Sequence, residues 1–73
     1  AEARAAYERR QFVRATARFG DAVAADPGNA DLLVNWGTAA WAAGDTVTAV
    51  VAWHRAARIE PLAPDLQARI TLL

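Results

Sequence analysis

Three observations predict an all-α fold made of antiparallel helix hairpins. Apolar residues are spaced as on one face of a helix, and alanine, the best helix former, supplies much of the 55% hydrophobic fraction. Four residues also have counterparts 34 positions later, since Ala15, Phe19, Ala22 and Pro27 are matched by Ala49, Trp53, Ala56 and Pro61. A period of about 34 residues is typical of stacked helix-turn-helix units.

The first unit, residues 1–28, is predicted to be a partial repeat. Its first helix runs from the start of the chain to about Arg9, and its second helix covers residues 12–25. Between them a turn is predicted at Arg10 and Gln11. The equivalent positions of the second unit, Gly44 and Asp45, combine a helix stop with a capping acid.

Residues 26–29 predict a tight connection to the second unit. Pro27 disfavours helix at the residue before it, Gly28 permits positive φ, and Asn29 can cap the next helix. That helix covers residues 30–43, with Leu33, Trp36, Ala40 and Ala43 on its core face.

The second helix of this unit covers residues 46–59. Its segment 47–53 is β-branched enough to suggest a strand, but the equivalent segment 13–19 is not strand-like, so the repeat register favours helix. The full second repeat is therefore residues 29–62.

A further helix is predicted at residues 64–73. Pro64 suits the first helical turn, where a missing N–H costs nothing. Residues 63–73 are either a capping helix or the start of a third repeat, and the apolar residues Leu66, Ile70, Leu72 and Leu73 favour the second reading or contact with a partner.

The second unit resembles a tetratricopeptide repeat. The motif W-x₂-L-G-x₂-Y…A-x₃-F…P has apolar or matching residues at Leu33, Trp36, Gly37, Ala40, Ala49, Trp53, Ala56 and Pro61. The chain departs from the motif mainly at Ala40, where Tyr is usual. The resemblance implies that residues 1–73 form one domain, a right-handed superhelical stack of helix hairpins, or α-solenoid.

The same resemblance implies a protein-protein interaction module that binds a peptide or protein segment in a concave groove. The groove would be lined by the first helix of each unit, and its main candidate residues are Arg4, Tyr7, Asn35, Thr38, Trp41 and Arg69. Further positions carried over from the second unit are Asp31, Val34 and Ala42. The alternative is a structural spacer or self-association element of a larger protein.

Two features of this groove remain open at the sequence level. Tyr7 and Trp41 are equivalent residues, and they either fill the core beside Ala6 and Ala40 or stand in the groove as aromatic anchors. Asn35 and Arg69 match two positions of the family's carboxylate clamp. Two matches in four testable positions do not make that clamp. Arg4 and Arg69 are suited to an anionic group, but the interpretation that we favour for them is ordinary solvated charge.

The composition argues against other classes of function. The formal net charge is zero, which gives no electrostatic reason to expect a nucleic-acid or anionic-membrane partner. The chain has no Cys and no Ser, and its one His, His54, is expected to be solvated, so neither an enzyme nor a cofactor is predicted.

The sequence is less informative about the protein's surroundings. No apolar run is long enough to predict a membrane span. The missing initiating Met suggests a segment of a longer protein, and the compartment is not predicted. Homo-oligomers through uncapped ends of the stack are a further expectation.

Overall fold

The structure is a computed structural model that describes residues 2–61 and 64–72, with side chains described for residues 8–61, 64 and 67–71. This part of the chain is all-helical, as predicted. Its elements are α1 (Glu2–Ala25), α2 (Ala30–Ala42), α3 (Thr46–Ile59) and α4 (Pro64–Leu72). The predictions for the last three helices are confirmed to within a residue or so, and the segment 47–53 is helical.

The predicted turn at Arg10 and Gln11 is wrong. The helix α1 runs without interruption through both residues for 24 residues, so the predicted first hairpin does not form. Arg and Gln are good helix formers, and no Gly, Pro, Asn or Asp precedes Gly20 to stop the helix. The equivalent position Gly44, by contrast, has φ of 84°, which favours glycine.

The connection between α1 and α2 is confirmed as a tight turn. The Asn29 side-chain oxygen accepts a hydrogen bond from the Leu32 N–H at 3.2 Å and caps α2. Its side-chain amide donates to Asp26 at 3.2 Å. The turn is thereby held by the residue that begins the next helix.

An aspartate caps α3 in the same way. Asp45 accepts the Thr48 N–H at 3.1 Å and the Thr48 hydroxyl at 2.6 Å. Since both bonds favour the ionised carboxylate, the side-chain bond most strongly, they lower the pKa of Asp45 below its ordinary value of 3.8.

Trp53 lies at the centre of the core and is fully buried. It packs with Ala40 of α2, Ala49 of α3 and Ile70 of α4. Its indole N–H donates to the Val34 carbonyl at 3.3 Å, so the one polar atom of the side chain is satisfied. A second cluster joins three helices through Val23, Leu33 and Ala56.

Two glycines let neighbouring helices approach closely. A Cβ added at Gly37 of α2 would overlap the indole of Trp53, and one added at Gly20 of α1 would lie 3.3 Å from the indole nitrogen of Trp36. The two glycines are 17 residues apart, as are the two tryptophans. The same helix-to-helix contact therefore recurs after 17 residues, which is half of the 34-residue period.

The helix α2 occupies the middle of a flat molecule of 38 × 30 × 16 Å. It packs against α1 on one side and α3 on the other, while α4 packs against α3. Residues 8–14 of α1 have little support from the other helices, since their side chains are all exposed.

Candidate binding surface on α2 and α4

One face of α2 remains open between its two neighbours. Four of its residues have exposed side chains at helical spacing, and we call them the α2 stripe: Asp31, Asn35, Thr38 and Ala42. Leu33, Gly37 and Ala40, on the other faces, are buried. Because α1 and α3 cover these other faces, the α2 stripe is the part of this helix that a partner could reach.

The polar groups of the α2 stripe differ in what they can offer. The Thr38 hydroxyl donates to the Val34 carbonyl at 3.0 Å, which leaves its oxygen as an acceptor. Asn35 makes no side-chain hydrogen bond with the residues that the structure describes, so its amide can both donate and accept. The pair suits a polypeptide backbone, which has both N–H and C=O groups.

Trp41 lies beside the α2 stripe and rests on the core. Its ring centroid is 5.7 Å from that of Trp53, with the planes tilted by 34°. Trp41 is only partly buried, so one part of the ring packs inward and another part faces solvent. Both predicted roles for this residue, core and surface anchor, are compatible with that placement.

Arg69 of α4 lies against both rings of this pair. Its guanidinium carbon lies 5.2 Å from the Trp41 ring centroid and 5.9 Å from that of Trp53. A guanidinium at such distances is attracted to the negative face of the rings. The contact connects α4 to α2 and holds a cation over the ring of the partly exposed Trp41.

The two site residues predicted from the first unit cannot be placed in the same way. Arg4 and Tyr7 are part of α1, and their side chains lie outside the described residues. Since residues 2–25 form one helix, the separate first helix that was expected to line a groove does not exist. The side-by-side placement of Tyr7 and Trp41 stays a prediction.

Sequence reasoning missed an apolar surface on the outer face of α3. Val47 is 75% exposed and Val51 is 48% exposed, one turn apart. With Thr46, Val50, His54 and Ile70 they line an open concavity between α3 and α4. The sequence signal for this surface is the i, i+4 spacing of the two valines, which places them on one face of α3. The β-branched character of the segment, by contrast, bears only on its secondary structure.

Other kinds of site find no support among the residues described. His54 is exposed, in agreement with the prediction. Among the described residues, no group of three or more His, Cys, Asp or Glu is placed to hold a metal ion. Within the same residues, no helix is both long and apolar enough to cross a membrane.

Comparisons with known proteins leave the resemblance to rest on the residues alone. No protein-family model matches the chain, and no match was found among curated proteins or solved structures.

Proposed function

We propose that this chain is a tetratricopeptide-like interaction module whose α2 stripe and neighbouring Trp41 and Arg69 bind a segment of another protein. The observation that carries the proposal is the exposure pattern of α2. None of the positions on α2 that the resemblance assigns to binding is buried, and these are Asp31, Val34, Asn35, Thr38, Trp41 and Ala42. A helix that is central to the packing yet keeps this face open is suited to docking.

The internal repetition of contacts supports the stacked architecture of the proposal. Gly20 meets Trp36 as Gly37 meets Trp53, so successive helices associate by a recurring contact. Repeated contacts of this kind build a solenoid when they continue along a chain. The right-handed superhelix of the tetratricopeptide family is the arrangement we propose for it.

The chemistry of the surface indicates the kind of segment it would accept. Trp41 supplies an aromatic anchor, the residue type most often found in binding hot spots. Arg69 is held beside it by the ring contacts and has donors suited to a carboxylate or a backbone carbonyl. We therefore propose an extended or helical peptide with an apolar side chain next to an acceptor group.

The test begins with a photoreactive residue at position 38, on the α2 stripe, and a matched one at position 54, on the exposed face of α3. Cross-linking in a lysate of the source cells should capture a partner through position 38 and not through position 54. Equal capture at both positions would argue against the α2 stripe as the binding surface.

A calorimetric titration with the captured partner then measures the contribution of the anchor. Trp41→Ala should weaken binding by about 2 kcal/mol or more, because truncated hot-spot aromatics lose at least that much. Arg69→Ala should lose less, and its effect should shrink with added salt. His54→Ala is the control. Unchanged affinity for Trp41→Ala, with the helical circular dichroism intact, would exclude this surface.

A structural spacer or self-association element is the second candidate. The exposed valines at 47 and 51 favour it, because contiguous apolar surface often marks contact with another chain. A double substitution of these valines by Thr that leaves partner binding intact but abolishes an assembly of the parent protein would favour this candidate.

A further inference from the structure

The outward face of α1 carries a basic patch around one exposed apolar side chain. Arg9, Arg10 and Arg14 surround Val13 and line an open concavity with it. Val13 is 55% exposed. None of the three arginines forms an ion pair with a described side chain. We call these four residues the α1 basic patch.

The opposite end of the molecule has the reverse arrangement. Ile59 is 47% exposed at the end of α3. It shares a concavity with Asp31 and Glu60, which carry the charge, and with Gly28, Asn29 and Ala30. Asp26 is held close by its hydrogen bond from Asn29. We call Asp31, Ile59 and Glu60 the acidic turn patch.

The two patches cannot meet within one molecule. Val13 also lies near Ala43 and Asp45, with which it lines another concavity at the turn between α2 and α3. The acidic turn patch lies at the other ends of α2 and α3, beside their connections to α1 and α4. The three arginines and the two acids of these patches therefore lie apart, although each patch has one neighbour of opposite charge, Asp45 near Val13 and Arg58 in the last turn of α3.

We propose that the α1 basic patch binds the acidic turn patch of a second copy of the chain, head to tail. Each patch has what the other lacks, because three cations around a valine face two anions beside an isoleucine. Opposite charges steer the encounter and fix the register, and burial of the two apolar side chains adds to the contact. This interface shares only Asp31 with the α2 stripe and does not use Asn35, Thr38 or Trp41.

A head-to-tail contact leaves one unused patch at each end of every assembly. Such a heterologous interface extends into open chains unless its rotation closes a ring. Each exposed ion pair contributes little, so the association is weak and sensitive to salt. It becomes important where copies are concentrated or where several stand side by side in a larger protein.

Sedimentation of the 73-residue chain tests the proposal. At low salt the average mass should rise with concentration above the 7.8 kDa of the monomer. Raising the salt from about 0.01 M to about 1 M shortens the Debye length from about 30 Å to about 3 Å and should return the chain to monomer. A monomer at all concentrations at low salt would overturn the proposal.

Two neutralising variants make the geometry testable. One is Arg10→Gln with Arg14→Gln, and the other is Asp31→Asn with Glu60→Gln. Each should associate about tenfold more weakly with itself or worse, because it lacks one patch. Mixed together they should form a complex that stops at two chains, since the only intact pair of patches joins one variant to the other.

The control is Arg18→Gln, which removes an exposed arginine of the same helix outside the α1 basic patch. It should associate like the wild type. If the two neutralising variants also associate like the wild type, or if their mixture gains nothing, the contact lies elsewhere, for example on the valines of α3, and the proposal fails. Circular dichroism confirms that each variant is folded.

Discussion

The two glycine–tryptophan contacts share a spacing but differ in how firmly they are packed. At the second, Gly37 lies against a Trp53 that is fully buried and hydrogen-bonded to Val34. At the first, Gly20 lies against a Trp36 that is only partly buried. The difference follows from coverage, since Trp53 lies inside a cluster with Ala40, Ala49 and Ile70, whereas Trp36 packs only against the edge of the second cluster.

The comparison teaches that the same helix-to-helix contact is firmer where apolar side chains enclose the indole completely. Each tryptophan is also approached by an arginine, Arg55 at 5.9 Å from Trp36 and Arg69 at 5.9 Å from Trp53. The cation distances are alike, so the arginines do not explain the difference. What distinguishes the two sites is the apolar surface removed from water.

The largest loss of stability is expected when Trp53, the fully buried tryptophan, is replaced. Trp53→Ala should lower the free energy of unfolding by about 3–5 kcal/mol, the usual cost of removing a buried Trp or Phe. That loss is comparable to the whole stability of a domain this small. Chemical denaturation followed by circular dichroism measures it.

Trp36→Ala is the matched comparison for this experiment. It should cost clearly less, because its ring is only partly buried. Equal losses for the two substitutions would mean that α4 adds nothing to the second contact.

The same Gly→Ala substitution should change the stability of the fold by different amounts at the two contacts. Gly37→Ala should destabilise the fold by about 1–3 kcal/mol, because the added methyl group overlaps the indole of Trp53 and cannot be accommodated without movement. Gly20→Ala should lie within about 1 kcal/mol of the wild type, since the gain in helix propensity offsets a tight contact at 3.3 Å. Thermal unfolding of both variants measures the difference.

The control for the glycines is Gly28→Ala, in the turn, where an added Cβ meets nothing within 4 Å. A similar loss of stability at positions 20 and 37 would contradict the view that the first interface is looser than the second.

How much of the fold could be predicted depends on where the chain carries helix stops. The helices α2, α3 and α4 were placed within a residue or so because Pro27, Gly44 and Pro61 mark their limits. The break in α1 was inferred from the repeat register alone, at residues that favour helix, and it was wrong. At residues 10–11 the local preference for helix outweighed the register, whereas at residues 47–53 the register was right against a local β-branched pattern.

The candidate site was predictable only in part, for a related reason. The open face of α2 follows from helical spacing, so Asn35 and Thr38 could be assigned to the surface from the sequence. The contact of Arg69 with Trp41 and Trp53 depends on how α4 docks, which no local pattern encodes. The exposure of Val47 and Val51 depends on the same docking.

The smallest expected effect on stability concerns the two capped turns, whose capping side chains differ in charge. Asn29 caps α2 with a neutral amide, and Asp45 caps α3 with a carboxylate whose pKa is lowered by Thr48. A lowered pKa in the folded state means that the stabilisation is present above the ordinary value of 3.8 and is lost as the pH falls through the folded value. Only the second turn should therefore weaken in acid through its cap.

Asp45→Asn tests this difference because it copies the cap found at position 29. At neutral pH the variant should lose no more than about 1 kcal/mol, since Asn and Asp are comparable caps. Between neutral pH and about pH 2 the stability of the wild type should fall more than that of the variant, because a protonated Asp45 is the poorer acceptor. Thermal unfolding of both proteins across this range measures the difference. Parallel pH profiles would show that the carboxylate bonds to Thr48 contribute nothing to folding, and the two turns would then be equivalent.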